Sequence, residues 1–67
     1  MKPFIPDEFY IPPRGKYRII GYDKWDGGRW MQGEYDLLGS AIKDARSNKD
    51  ENSIFYIYSF SGLETVI

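Results

Sequence analysis

The sequence predicts a small α+β domain of order ββαβ(β): a single antiparallel or mixed sheet with one helix packed on one face, preceded by a proline-rich N-terminal arm. Three observations carry this reading. Two β-rich runs flank an Asp-Gly-Gly turn, one stretch repeats apolar residues at helical spacing, and Ile54 to Phe60 is an unbroken run of β-formers apart from Ser59. At 67 residues the chain has room for one core, so we divide it into an arm, 1–15, and a domain, 16–67.

All four prolines, Pro3, Pro6, Pro12 and Pro13, lie in the arm. Proline fixes φ and lacks a donor, which predicts extended chain there rather than helix or central strand. Phe4, Ile5, Phe9, Tyr10 and Ile11 lie between the prolines. Such apolar content sets the arm apart from a disordered tail and suits it to packing on the domain or on a partner.

Tyr17 to Tyr22 reads as the first strand. Asp23 to Gly28 reads as the hairpin loop, its glycines supplying positive φ. A second strand is expected from about Arg29 to Tyr35. Asp36 is the expected N-cap of a helix, and Leu38, Ala41, Ile42 and Ala45 at i, i+3, i+4 and i+7 form its apolar stripe. Lys43, Arg46 and Lys49 suit the negative end of the helix dipole. The polar run Ser47 to Asn52 is read as a loop. After the strand Ile54 to Phe60, Ser61-Gly62 is a turn signal, and Leu63 to Ile67 can return as a short edge strand.

A short loop makes strands one and two antiparallel neighbours. A right-handed crossover from strand two to strand three, parallel within one sheet, then gives the order 2-1-3, extended to 2-1-3-4 by a final strand. Alternation separates the faces. Tyr17, Ile19, Phe55 and Ile57 are assigned to the helix side, and Ile20, Tyr22, Tyr56 and Tyr58 to the opposite face. Neither set is polar, and one helix covers one face. The other needs the arm, a second copy or a ligand.

Composition narrows the chemistry. There is no cysteine and no histidine, which excludes disulfides, thiolate or imidazole metal sites and Cys–His or Ser–His pairs within these residues. Asp23 and Asp26 lack the alternating ligands of a calcium loop, and the glycines form no phosphate-binding motif. No cofactor and no enzymatic activity are expected. No apolar run reaches the length of a membrane span and the N-terminus lacks a signal-peptide layout, so a cytoplasmic protein is expected.

Net charge is −1, but residues 14–29 carry five bases against two acids, and residues 30–67 three against six. Twelve aromatics exceed what one small core needs. The candidate contact residues are therefore Tyr22, Tyr56 and Tyr58 on the uncovered face, Trp25 and Trp30 beside the hairpin turn, and Arg18 and Arg29 in the basic hairpin. Two roles fit the tryptophans: a cross-strand pair that fixes hairpin register, or recognition. The expected partner is another protein or a second copy of the chain. The alternative is nucleic acid, held by the basic hairpin or stacked on the sheet.

Tyr17-Arg18, Trp25, Trp30 and the step Gly33-Glu34-Tyr35-Asp36 leading to Ala41 and Ala45 resemble the strand-to-helix junction of AP2-type DNA-binding domains and of phage-integrase arm-binding domains. That resemblance implies DNA contact from the sheet by Arg14, Arg18, Lys24 and Arg29. In those domains the helix follows the third strand, whereas here it follows the second. Over residues 16–60 the chain is more similar to small uncharacterised ββαβ proteins of bacteria, cyanobacteria and phage, a likeness that implies no activity.

Overall fold

The computed structural model describes residues 10–67. Four strands, β1 (Tyr17–Asp23), β2 (Arg29–Tyr35), β3 (Ser53–Ser59) and β4 (Gly62–Val66), form one sheet in the order β2-β1-β3-β4. The one helix of these elements, α1 (Leu38–Asn48), joins β2 to β3. Every neighbouring pair is antiparallel. Because β2 and β3 both run against β1, they are parallel to each other, and α1 carries the chain across β1 between them.

The helix-side face is the one that alternation assigned. Ile19, Ala41, Ala45 and Ile57 are fully buried and Phe55 nearly so, with Tyr17, Tyr35, Leu38 and Ile42 packed around them. Each of the fully buried isoleucines contributes about 1.5–3 kcal/mol. Ala41 and Ala45 are small enough to bring the helix backbone close to the strands.

Two irregularities shape the sheet. Between Ile19 and Ile20 the β1–β2 register shifts, so that Gly33 pairs with Ile19, Met31 with Ile20, and Gln32 is the extra residue. Between Ile57 and Tyr58 the β3–β4 register shifts in the same way, with Thr65 opposite Ile57, Leu63 opposite Tyr58, and Glu64 extra. A bulge reverses the in–out parity of its strand beyond that point.

Several details differ from expectation. Leu37, not Asp36, precedes the first helical residue, with φ −124°, ψ 137° and no side-chain cap. Asp36 lies one residue too early to reach the first free amides and instead accepts from Lys16 Nζ on the surface. The helix runs through Asn48, beyond the expected start of the loop, where the Asn48 amide donates to Asp44 O at 2.9 Å and to Asp44 Oδ1 at 2.6 Å. In the hairpin loop only Gly27 has positive φ, at 80°. The carboxylates complete that turn: Asp23 Oδ1 accepts from Trp25 N at 2.8 Å, and Asp26 Oδ1 from Gly28 N at 2.7 Å. Of the arm, residues 1–9 lie outside the described residues, and Tyr10 has helical rather than extended backbone.

Candidate functional site

The face opposite α1 is built from the alternate positions of all four strands. On β1 these are Arg18, Ile20 and Tyr22, and on β3 Tyr56 and Tyr58, paired directly with Ile20 and Arg18. From the C-terminal end of the arm, Tyr10 lies on this floor, only 8% exposed, with its ring 5.1 Å from that of Tyr58. Arg29 Nη1 donates to Tyr10 Oη at 2.7 Å, and its guanidinium lies 5.6 Å from the Tyr22 ring centre. The hydrogen bond to Tyr10 raises the Arg29 pKa further above its already high ordinary value. A depression of about 310 Å³ remains between Tyr10, Ile20, Tyr22, Arg29, Tyr56 and Tyr58.

The bulges extend this face. Met31 and Leu63 would point to the helix side in regular strands, but the extra residues Gln32 and Glu64 turn them to the face shared by Ile20 and Tyr58. With Val66, opposite Tyr56, they leave three apolar side chains about half exposed around the tyrosine floor. Glu64, displaced by the bulge, accepts from Ser59 Oγ at 2.5 Å.

Of the residues singled out from sequence, Tyr22, Tyr56, Tyr58, Arg18 and Arg29 therefore share one face. Arg18 is bound in part to Glu34, with Nε 2.9 Å and Nη2 2.6 Å from Oε1. Trp25 and Trp30 do not join them. Trp30 lies on the helix side, opposite Gly21, edge-on to Phe55 with ring centres 6.1 Å apart and an interplanar angle of 86°. Trp25, 85% exposed, sits on the hairpin turn. The cross-strand pair between the two tryptophans is not formed among the described residues; Trp30 has Phe55 as its ring partner instead.

Sequence reasoning placed Tyr10 in an arm suited to cover this face without naming it as a contact, and missed Met31 and Leu63. The signal for Tyr10 was its place among the prolines, where an apolar arm needs something to pack on. Met31 and Leu63 gave no signal, because their orientation depends on the bulges.

The basic side chains of the hairpin do not form a common patch. Lys16 reaches Asp36, Arg18 reaches Glu34, and Arg14 lies 4.3 Å over the Phe60 ring. Among the described residues no group of three or more acidic side chains is placed to hold a metal ion, and no helix is long and apolar enough to cross a membrane.

These features define a class: a small α+β domain presenting an aromatic sheet face that, among the described residues, only Tyr10 of the arm covers. The comparisons take the assignment no further, since no protein-family model, curated protein or solved structure matches the chain.

Proposed function

We propose that this chain is a non-catalytic interaction module that docks a protein partner on its open sheet face. One observation carries the reading: Met31, Leu63 and Val66 stand half exposed around a floor of Tyr10, Tyr22, Tyr56 and Tyr58. An exposed apolar patch with tyrosine, methionine and arginine at its centre has the composition of a protein interface. The bulges in β2 and β4 twist the two outer strands and interrupt their regular edges, which favours docking on the face over strand addition at an edge.

The nucleic-acid alternative uses the same tyrosines with Arg18 and Arg29. The engagement of Lys16, Arg18 and Arg14 within the chain supports the protein reading instead. The test is capture by the immobilised wild-type chain against a Met31→Lys/Val66→Lys variant, both shown folded by circular dichroism. A direct partner, reconstituted from purified components, should bind the wild type and lose at least tenfold in affinity for the variant. Equal binding by both refutes the reading. So does tight binding of single-stranded oligonucleotide at ~50 mM salt that falls steeply as salt rises.

A further inference from the structure

A second depression, of about 420 Å³, lies at the far end of the helix side, where the hairpin turn, the end of α1 and the loop 49–52 converge. It is separate from the open face, and nothing in the interaction reading uses it. Its aromatic walls are Trp25 and Trp30, and its floor is Phe55 and Ser53, both almost fully buried. Around the rim stand the side-chain amides of Gln32, Asn48 and Asn52 and the carboxylates of Asp23 and Asp50.

These groups are held in place by the protein itself. Lys24 N donates to Asn52 O at 2.7 Å, tying the hairpin turn to the loop across the cleft. Trp30 Nε1 donates to Gln32 Oε1 at 2.8 Å, and Trp25 N to Asp23 Oδ1 at 2.8 Å. Each of the last two bonds holds its acceptor side chain and uses one of its two polar atoms. Gln32 Nε2, Asp23 Oδ2 and the side-chain amide of Asn52 engage no other described residue. Trp30, held by Gln32 and Phe55, is the wall fixed in advance, which lowers the ordering cost of binding.

The chemistry of the lining selects among ligands. Among the described residues no lysine or arginine lines the cleft and two carboxylates do, which disfavours phosphates and other anions. A quaternary ammonium would suit the indoles and the carboxylates, but it cannot use the NH₂ donors of Gln32 and Asn52; Asn48, whose NH₂ is held by Asp44, offers its oxygen. A hydroxyl both donates and accepts, so adjacent hydroxyls match mixed amides and carboxylates. The C–H face of a pyranose ring carries partial positive charge and packs against the negative face of an indole. Trp25, 85% exposed on an ordered turn, offers such a face. We propose that the cleft between Trp25 and Trp30 binds a neutral pyranose saccharide, with Trp25 as stacking platform and Gln32, Asn48, Asn52 and Asp23 contacting its hydroxyls. Its openness fits a weak site, with a dissociation constant of about 0.1–1 mM.

The experiment is an amide- and indole-resolved NMR titration of the intact chain with cellohexaose, chitohexaose and maltohexaose, each to about 10 mM. N-trimethyl-lysine is titrated in parallel as the cationic competitor. At least one saccharide should shift the Trp25, Trp30 and Asn52 signals saturably. Trp25→Ala, at an exposed position, should keep the fold and weaken binding at least tenfold, Asn52→Ala should weaken it several-fold, and Leu63→Lys on the opposite face should leave it unchanged. The proposal is overturned if none of the three saccharides gives a saturable shift, if Trp25→Ala binds as tightly as wild type, or if only trimethyl-lysine saturates.

Discussion

Gly21→Ala tests the packing that holds the helix side together at its uncovered end. Gly21 lies on β1 directly opposite Trp30, and a Cβ there would stand 2.3 Å from Trp30 Cε2 and 2.4 Å from Cζ2. No carbon pair tolerates that approach, so the indole must swing off β1 and lose its edge contact with Phe55. Re-exposing roughly 100 Å² of a tryptophan that can bury about 150–250 Å² costs about 2.5 kcal/mol at ~25 cal/mol/Å². Replacing glycine by alanine at a position without positive φ returns about 0.4–1 kcal/mol by restricting the unfolded chain. The net expectation is a loss of about 2 kcal/mol, or a fall in Tm of roughly 8–16 °C for a domain this small. The decisive assay is a double-mutant cycle in urea. On a Trp30→Ala background the clash is gone, and Gly21→Ala should be neutral or slightly stabilising, giving a coupling energy of about 2–3 kcal/mol. A coupling below ~0.5 kcal/mol would mean that the two residues act independently and that the reasoning is wrong.

Four further outcomes follow from the same structure. Tyr10→Phe keeps the ring on Tyr58 but removes the acceptor for Arg29, and should lower the urea-derived stability by about 1 kcal/mol. Ile57→Ala empties a fully buried site, and its expected cost of about 2–5 kcal/mol approaches the whole stability of a chain this size, so it should be largely unfolded at 37 °C by circular dichroism. The Tyr35 hydroxyl donates to Asp44, which raises its pKa above the ordinary 10.0. The resulting stabilisation is complete below pH 10 and is lost as pH rises through the folded-state value, so urea midpoints should fall less steeply there in Tyr35→Phe than in wild type. Asp50 is held below the ordinary 3.8, first by the Asn52 amide and then by Ser53. Its contribution is present above that value and is lost on acidification through the folded pKa, so Asp50→Asn should show a weaker decline in midpoint below about pH 4 than wild type.

The fold was legible because its strongest signals are periodic. The alternation in Ile54 to Phe60 fixed the two faces of β3, and the spacing of Leu38, Ala41, Ile42 and Ala45 fixed the buried stripe of α1. Strand order followed from one short loop and one crossover. The positions of the tryptophans were not legible. Trp30 shares an in–out parity with Glu34 in any regular strand, which would have put it on the open face near the tyrosines. The single extra residue Gln32 moves it to the helix side with Tyr35 and Gly33. The cap failed for a comparable reason: Asp36 has the right chemistry, but it lies one residue short of the position that needs it.

Both bulges have the same consequence. Without them, Met31 and Leu63 would face the helix side, and the opposite face would carry Trp30, Gln32 and Glu64 beside the tyrosines, Ile20, Val66 and the paired Arg18 and Glu34. Each extra residue is polar, Gln32 and Glu64, and each turns the apolar residue beside it onto the open face. The core gains nothing from Met31 and Leu63, which stay about half exposed, but it gains the edge contact of Trp30 with Phe55. On the β4 side the open face gains Leu63 in place of Glu64, and on the β2 side Met31 takes the place that Trp30 would hold. The Gln32 bulge also brings Trp30 to the helix side, where it walls the cleft beside Trp25. Here the limit is set by α1, which at 11 residues is about 16 Å long beside seven-residue strands of about 23 Å. A helix longer by a turn would run over that cleft and fill it with side chains. Deleting Gln32 should remove the bulge without moving either side chain, because Gly33 and Met31 become consecutive and keep Ile19 and Ile20 as partners, with Trp30 still opposite Gly21. Nuclear Overhauser contacts between Trp30 and Phe55 in a folded deletion variant are the outcome this pairing requires, and their loss would refute it.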